Sequence, residues 1–415
     1  MRLPLGTTRL GVQLALRLVV SVALALPLLS LPTQLPVSAT VQAKPEVETP
    51  SAQTLSYPPG TTAWLLQYLA ALAAGLSLLV LWNGVLNKRR ESHSATSLAK
   101  EAFKLKRLTI GYPEGMRIFE ELRRQQLLED RFQGLGLDVE WRTYPSASSL
   151  LNDLSNGWID FCGGGGTASI FSQSAQHLFI RLAREKYPDL DSDLILVPDH
   201  SPIRSISELR GKRIAFDEGS SAHYLLVRCL ESAGIDYEEI EPVMLAQQDA
   251  LPLFRDGLVD AWVVWMPYGP TQERRNYPGR SLGSLESILG RDVARDIPTL
   301  YYGIPELVRD YPRILKAVLE EVNEAGVISL ERQLVDLQSM IKNEVGSTVE
   351  DQHLNDSIDE LRSRTQERTL VPLDETTLQS LQEQANRFHR LGLIPEKVNV
   401  SDRFYNLRAR QNWTY

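Results

Sequence analysis

The sequence predicts an α/β protein of two doubly wound lobes. Three observations carry this. From about Lys106 strand-like and helix-like segments alternate, the pattern of parallel sheets crossed by helices. The alternation runs in two series, roughly 106–197 and 198–297. After about residue 298 the pattern is mostly helical, which returns to the first lobe. The 415 residues suffice for more than one lobe.

Each element has its own signal. In the first series RLTIGY reads as a short strand, and MRIFEELRRQQLLEDRF places Ile118, Leu122, Leu127 and Leu128 at helical spacing. LDVEWRTYP alternates with period two, SASSLLNDLSNG is a capped helix closing on Gly157, and WIDFC is a strand. TASIFSQSAQ is a helix, followed by the strands LFIRLAR and DLILVP. In the second series SISELRGK is a short turn before strand RIAF. The helix Ser221–Ala233, strand EIEPVML, helix QDALPLFRDG and strand AWVVWM come next. Residues 106–197 with 298–415 form the expected lobe I, and 198–297 lobe II.

The N-terminal region carries different signals. Arg2, Arg9 and Arg17 precede an apolar run from Leu18 to Leu31, so residues 1–43 read as a signal-like first hydrophobic segment. Residues 44–62 are a polar, Pro-rich spacer. From Thr49 to Asn87 no residue is charged, and Trp64–Leu86 is long enough to span a bilayer. A transmembrane helix is expected over 63–87 and a polar linker over 88–105. Lys88, Arg89 and Arg90 favour a cytoplasmic location for the residues C-terminal to them.

Composition excludes several classes. The net charge is −8, with no basic stripe, so nucleic acid is not an expected partner. Cys162 and Cys229 are the only cysteines and the six histidines are scattered, so neither a disulfide framework nor a zinc hydrolase motif is present. No cofactor and no catalytic group is expected.

In open α/β sheets ligands sit beyond the carboxyl ends of the strands, where helix N-termini offer free N–H groups. Each lobe has a candidate turn there. One is the glycine tract Gly163–Gly166 with Thr167. The other is Gly219-Ser220-Ser221, which also reads as an N-cap. Paired turns imply a ligand clamped between lobes.

The stretches GKRIAFDEGSSAHYLL, VEWRTYPSASSLLNDLSNGWIDF, ILVPDHSPIRSISELRGK and LGLIPEKVNVSDRF resemble the aliphatic sulfonate-binding proteins of ABC importers. The resemblance covers about Lys106 to Phe404. It implies a two-lobed periplasmic-binding-protein-like (type II) fold with a hinge, here preceded by an N-terminal membrane segment. It implies a small sulfonate-like organic anion as ligand, an ABC permease and ATPase as partners, no catalysis, and a binding domain on the periplasmic side. On this resemblance and the paired turns the expected ligand-binding residues are Tyr112, Glu114, Gly165, Gly166, Thr167, Ser220, Ser221, Trp265 and Met266. The sequence departs from the family pattern at Pro113-Glu114, at Gly166, at Glu218 and at Met266, so the charge at the mouth is rewritten. A membrane-tethered ligand sensor, or an enzyme or binder of a thiamine pyrimidine precursor on the same fold, are the alternatives.

Overall fold

Alternation along β1 (Arg107–Pro113) sends Leu108, Ile110 and Tyr112 to one side, against Phe119 and Leu122. Gly111 faces the other side, where a Cβ would lie 2.5 Å from both Leu150 and Ile159. In this computed structural model the described residues are 77, 80, 96–186, 193–265, 279–290, 297–344, 359, 362–364, 367 and 369–404.

The strands β1, β2 (Asp138–Tyr144), β3 (Phe161–Gly165), β4 (Ile180–Glu185), β10 (Thr299–Gly303) and β11 (Leu370–Pro372) form one sheet, in the order β11-β4-β10-β3-β1-β2. The second sheet has the order β7-β6-β8-β5-β9. It is built from β5 (Leu194–Val197), β6 (Arg213–Phe216), β7 (Glu241–Met244), β8 (Ala261–Val264) and β9 (Arg280–Ser284). In the first sheet β10 is antiparallel to β3 and β4, and β4 is antiparallel to β11 as well; in the second β5 is antiparallel to β8 and β9. Strands β5 and β10 are the ones that enter a sheet directly after the chain crosses from the other one.

The helices are α1 (96–105), α2 (Arg117–Arg124), α3 (Leu127–Phe132), α4 (Ala147–Ser155), α5 (Gly166–Ser174), α6 (Ser221–Ser232), α7 (Gln247–Arg255), α8 (Leu285–Leu289), α9 (Pro305–Asp310), α10 (Pro312–Glu344) and α11 (Glu375–Arg390). Helices α2 and α10 cover one face of the first sheet, and α4, α5 and α11 the other. The core on that second face also takes in Tyr224 and Val227 of α6, so an element of the second lobe completes the core of the first.

Three expectations are corrected. Residues 96–105 of the expected linker are helical, because Leu98, Ala102 and Leu105 share one face and pack on the first core. Glu101 further ties this helix to α10, accepting from the Arg313 and Ile314 N–H groups at 2.8 and 3.1 Å. Strand Leu194–Val197, assigned above to lobe I, hydrogen-bonds into the second sheet. The glycine tract is no turn. Gly163, Gly164 and Gly165 lie within β3, opposite Tyr301, Leu300 and Thr299. At Gly163 packing requires glycine: a Cβ would lie 2.5 Å from Phe119.

The expected segment 1–43, the spacer and Met266 lie outside the described residues, as does the expected membrane span apart from Ser77 and Val80. Among the described residues no helix is long and apolar enough to cross a membrane.

Candidate functional site

The carboxyl end of β6 leads into Asp217-Glu218-Gly219-Ser220, and this segment lies against the first lobe. The Ser148 hydroxyl, in the first turn of α4, donates to the Glu218 carbonyl at 3.3 Å. Gly219 has φ +71° and packs on the Phe171 ring of α5, where a Cβ would meet Phe171 Cγ at 3.0 Å. A side chain is therefore excluded there both by conformation and by space. The first turns of α4 and α6 thus meet around one segment, with α5 packed beside it.

Within the turn most polar groups are committed. Ser220 caps α6: its hydroxyl donates to the Asp217 carbonyl at 2.6 Å and accepts the His223 N–H at 3.3 Å. His223 Nδ1 accepts the Gly219 N–H at 3.2 Å, and Nε2 lies 3.1 Å from the Tyr237 hydroxyl. The imidazole is packed among Phe171, Phe216 and Phe388, and burial lowers its pKa to about 3. It is a neutral structural group. Ser221 differs. It is partly exposed at the first position of α6, and among the described residues its hydroxyl has no hydrogen-bond partner.

Three further groups converge at the carboxyl edge of the second sheet. Asp217 is 8% exposed. Burial pushes its carboxyl up to about 7; the neighbouring Trp265 indole opposes this and the charge of Glu218 adds to it. Gln247, at the start of α7, accepts the Trp265 backbone N–H at 3.3 Å. The Gln247 Nε2 and Trp265 Nε1 donors are both buried without a hydrogen bond, so the indole acts on Asp217 without closing one. Unmet donors are costly unless a ligand or water satisfies them.

The expected residues separate into groups. Ser220, Ser221 and Trp265 come together at the carboxyl edge of the second sheet. Gly165 caps α5 at the carboxyl end of β3, with open space where a Cβ would stand. Glu114 lies just beyond the carboxyl end of β1 with its side chain exposed. Tyr112 is corrected: it is buried in the first core, stacked on Phe119 at 5.5 Å and edge-on to Trp141 at 6.0 Å. Gly166 and Thr167 are also turned inward. The Gly166 N–H donates to Pro298 O at 2.8 Å, and the fully buried Thr167 hydroxyl donates to Gln384 Oε1 at 3.0 Å. Sequence reasoning missed Ser148, Asp217 and Gln247. Ser148 and Asp217 stood inside two of the motifs, next to the cap residues. A cavity of about 270 Å³ opens between Val227, Leu230, Glu231, Asp236, Tyr237 and Leu391. It lies toward the other end of α6 and contains none of the expected residues. No group of three or more His, Cys, Asp or Glu side chains among the described residues is placed to hold a metal.

Comparison with known proteins places this geometry among related molecules. A family model described as the periplasmic substrate-binding protein of a phosphonate ABC transporter matches residues 121–265. An aliphatic sulfonates-binding protein of Escherichia coli (strain K12) is 36% identical over 161 residues, 39% of this chain and 50% of that protein. The chain spans about half the length of the curated relatives it matches. Among solved structures, the alkanesulfonate-binding protein SsuA of Xanthomonas axonopodis pv. citri, bound to MOPS, superposes with a TM-score of 0.58 at 25% identity, covering 72% of this chain and 98% of that one. The periplasmic aliphatic sulphonate binding protein SsuA of Escherichia coli gives 0.57 at 26% identity, covering 72% and 92%.

Proposed function

We propose that this chain, which is related to the periplasmic aliphatic sulfonate-binding proteins of ABC importers, is a ligand-binding component of such an importer. It holds a small organic sulfonate between its two lobes and performs no chemistry on it. The observation that carries this reading is the unpartnered Ser221 hydroxyl at the N-terminus of α6, on a turn pressed between the lobes. The helix dipole and the first-turn amides favour an anion there. Ser221 adds a hydroxyl that is free to donate, and Trp265 supplies an apolar wall for the organic tail. A permease, partnered by an ATPase, receives the ligand.

Ser221→Ala tests the seat. Ser220, not Ser221, caps the helix, so folding should survive. A hydrogen bond to a charged group contributes about 1.5–3 kcal/mol, so calorimetry should show roughly ten-fold to a hundred-fold weaker alkanesulfonate binding. Unchanged affinity removes the anion seat from α6.

The run 63–87 anchors the binding domain to the membrane on its periplasmic side in this reading, against the pull of Lys88–Arg90, because long domains translocate despite flanking charge. Alkaline phosphatase or green fluorescent protein fused to the C-terminus decides it. Active phosphatase with a dark fluorescent fusion places the domain outside; the reverse pattern places it in the cytoplasm and ends the importer reading.

A further inference from the structure

We infer that Asp217 sets the specificity of the cleft and selects a zwitterionic sulfonate, one carrying a protonated amine near its anionic head, over a simple alkanesulfonate. This rests on the sulfonate-binding reading and narrows its ligand class.

Asp217 begins the turn that Ser220 closes, so it shares the wall of the anion seat. It is an acid inside a site built for an anion, and its residue is only 8% exposed. Among the described residues the neighbours that act on its charge are the Trp265 indole and Glu218, and neither is a cation. The indole N–H itself makes no hydrogen bond. A buried carboxylate with no counter-charge among the described residues is costly. A simple alkanesulfonate would worsen this by bringing a second negative charge beside it. A ligand with an ammonium group supplies the missing counter-charge.

The donors nearby support the same division. Gln247 is 2% exposed, and its Nε2 is buried without a partner, as is Trp265 Nε1. These N–H groups, with Ser221, complement sulfonate oxygens; Asp217 alone among these groups complements a cation. The exposed Glu218 adds negative charge at the same edge.

The test is calorimetry on the full-length chain at pH 7.5 with 2-aminoethanesulfonate and ethanesulfonate, for the native protein and Asp217→Asn. The native protein should bind the amino compound about ten-fold tighter or more, the effect of one buried charge pair. Asp217→Asn should lose that preference while binding ethanesulfonate as well as before or better. Titration of the native protein in buffers of different ionisation enthalpy needs no variant. Ethanesulfonate should bind with proton uptake, and the amino compound with much less. Ethanesulfonate binding without an amine preference overturns this inference and leaves the sulfonate reading intact. So does a preference that survives in Asp217→Asn. Failure of both compounds to bind overturns both.

Discussion

His223 sits one turn into α6, with Nδ1 accepting from Gly219 and Nε2 against Tyr237. The Nδ1 contact requires a lone pair, so the proton resides on Nε2 and is donated to the tyrosine. Burial holds the folded pKa at about 3, against about 6.5 in the unfolded chain. The folded pKa is the lower one, so the unfolded state binds the proton first. Stability is therefore complete above about pH 6.5 and falls by up to about 1.4 kcal/mol per pH unit below it. Nitrogen NMR of the imidazole should report a neutral Nε2–H ring that does not titrate between pH 7.5 and 5; a midpoint near 6.5 would refute the packed assignment. Tyr112 teaches the complementary lesson. It comes after Leu108 and Ile110 at period two, so its place in the core was legible from alternation, whereas its position in the family pattern suggested a ligand contact. Asp217 was not legible as a site group, because only the fold shows that no cation among the described residues faces it.

At the scale of single elements, caps were easier to read than glycines. A Gly-Ser-Ser run ahead of apolar residues marks a helix start, and α6 begins there. What each serine does depends on geometry alone: Ser220 turns back to Asp217 while Ser221 points elsewhere. The glycine tract is ambiguous in a sequence, since glycine serves both positive φ and close packing. At Gly163 it is the Phe119 ring that decides. The start of α11 offers a quantitative check on capping. Asp374 accepts from the Thr377 N–H at 2.8 Å, from its hydroxyl at 2.7 Å and from Arg184 at 3.0 Å. Burial alone would raise its pKa, but these hydrogen bonds with Thr377 and Arg184 outweigh it and bring the carboxyl down to about 2. A depressed folded pKa contributes stability above the ordinary carboxylate range, near pH 3.8, which is lost as pH falls toward 2. The side chain is 34% exposed, so solvent screens part of this. Asp374→Ala should cost about 1–2 kcal/mol at pH 7, read as a lower denaturant midpoint. That difference should shrink at pH 3, and an equal cost at both pH values would show that the charge of the cap contributes nothing.

Over the whole molecule, strand and helix alternation disclosed two lobes, but it could not say where the chain passes from one to the other. A buried apolar strand such as Leu194–Val197 reads the same in either sheet; only its antiparallel pairing with β8 and β9 assigns it. The lobes are also joined by packing that no local pattern reveals. Tyr224 is 1% exposed and lies in the core of the first lobe, with its ring 6.0 Å from Phe388. Beside it, Arg387 of α11 pairs with Glu231 of α6 at 2.9 Å. The exposed ion pair contributes little by itself, so the aromatic contact is the stronger tie. Tyr224→Ala should cost about 3–5 kcal/mol, the usual range for deleting a buried aromatic ring. Its consequence is not only a lower midpoint. With the tie intact, neither lobe can unfold without exposing part of the other's core, and guanidinium unfolding should be one transition, coincident by tryptophan fluorescence and circular dichroism. Without it the packing between the lobes falls back on Val227, Gly219 and His223, and the two probes should separate with a reduced apparent m-value. Coincident transitions with an unchanged m-value in Tyr224→Ala would mean that the Tyr224 contact is not what couples the lobes.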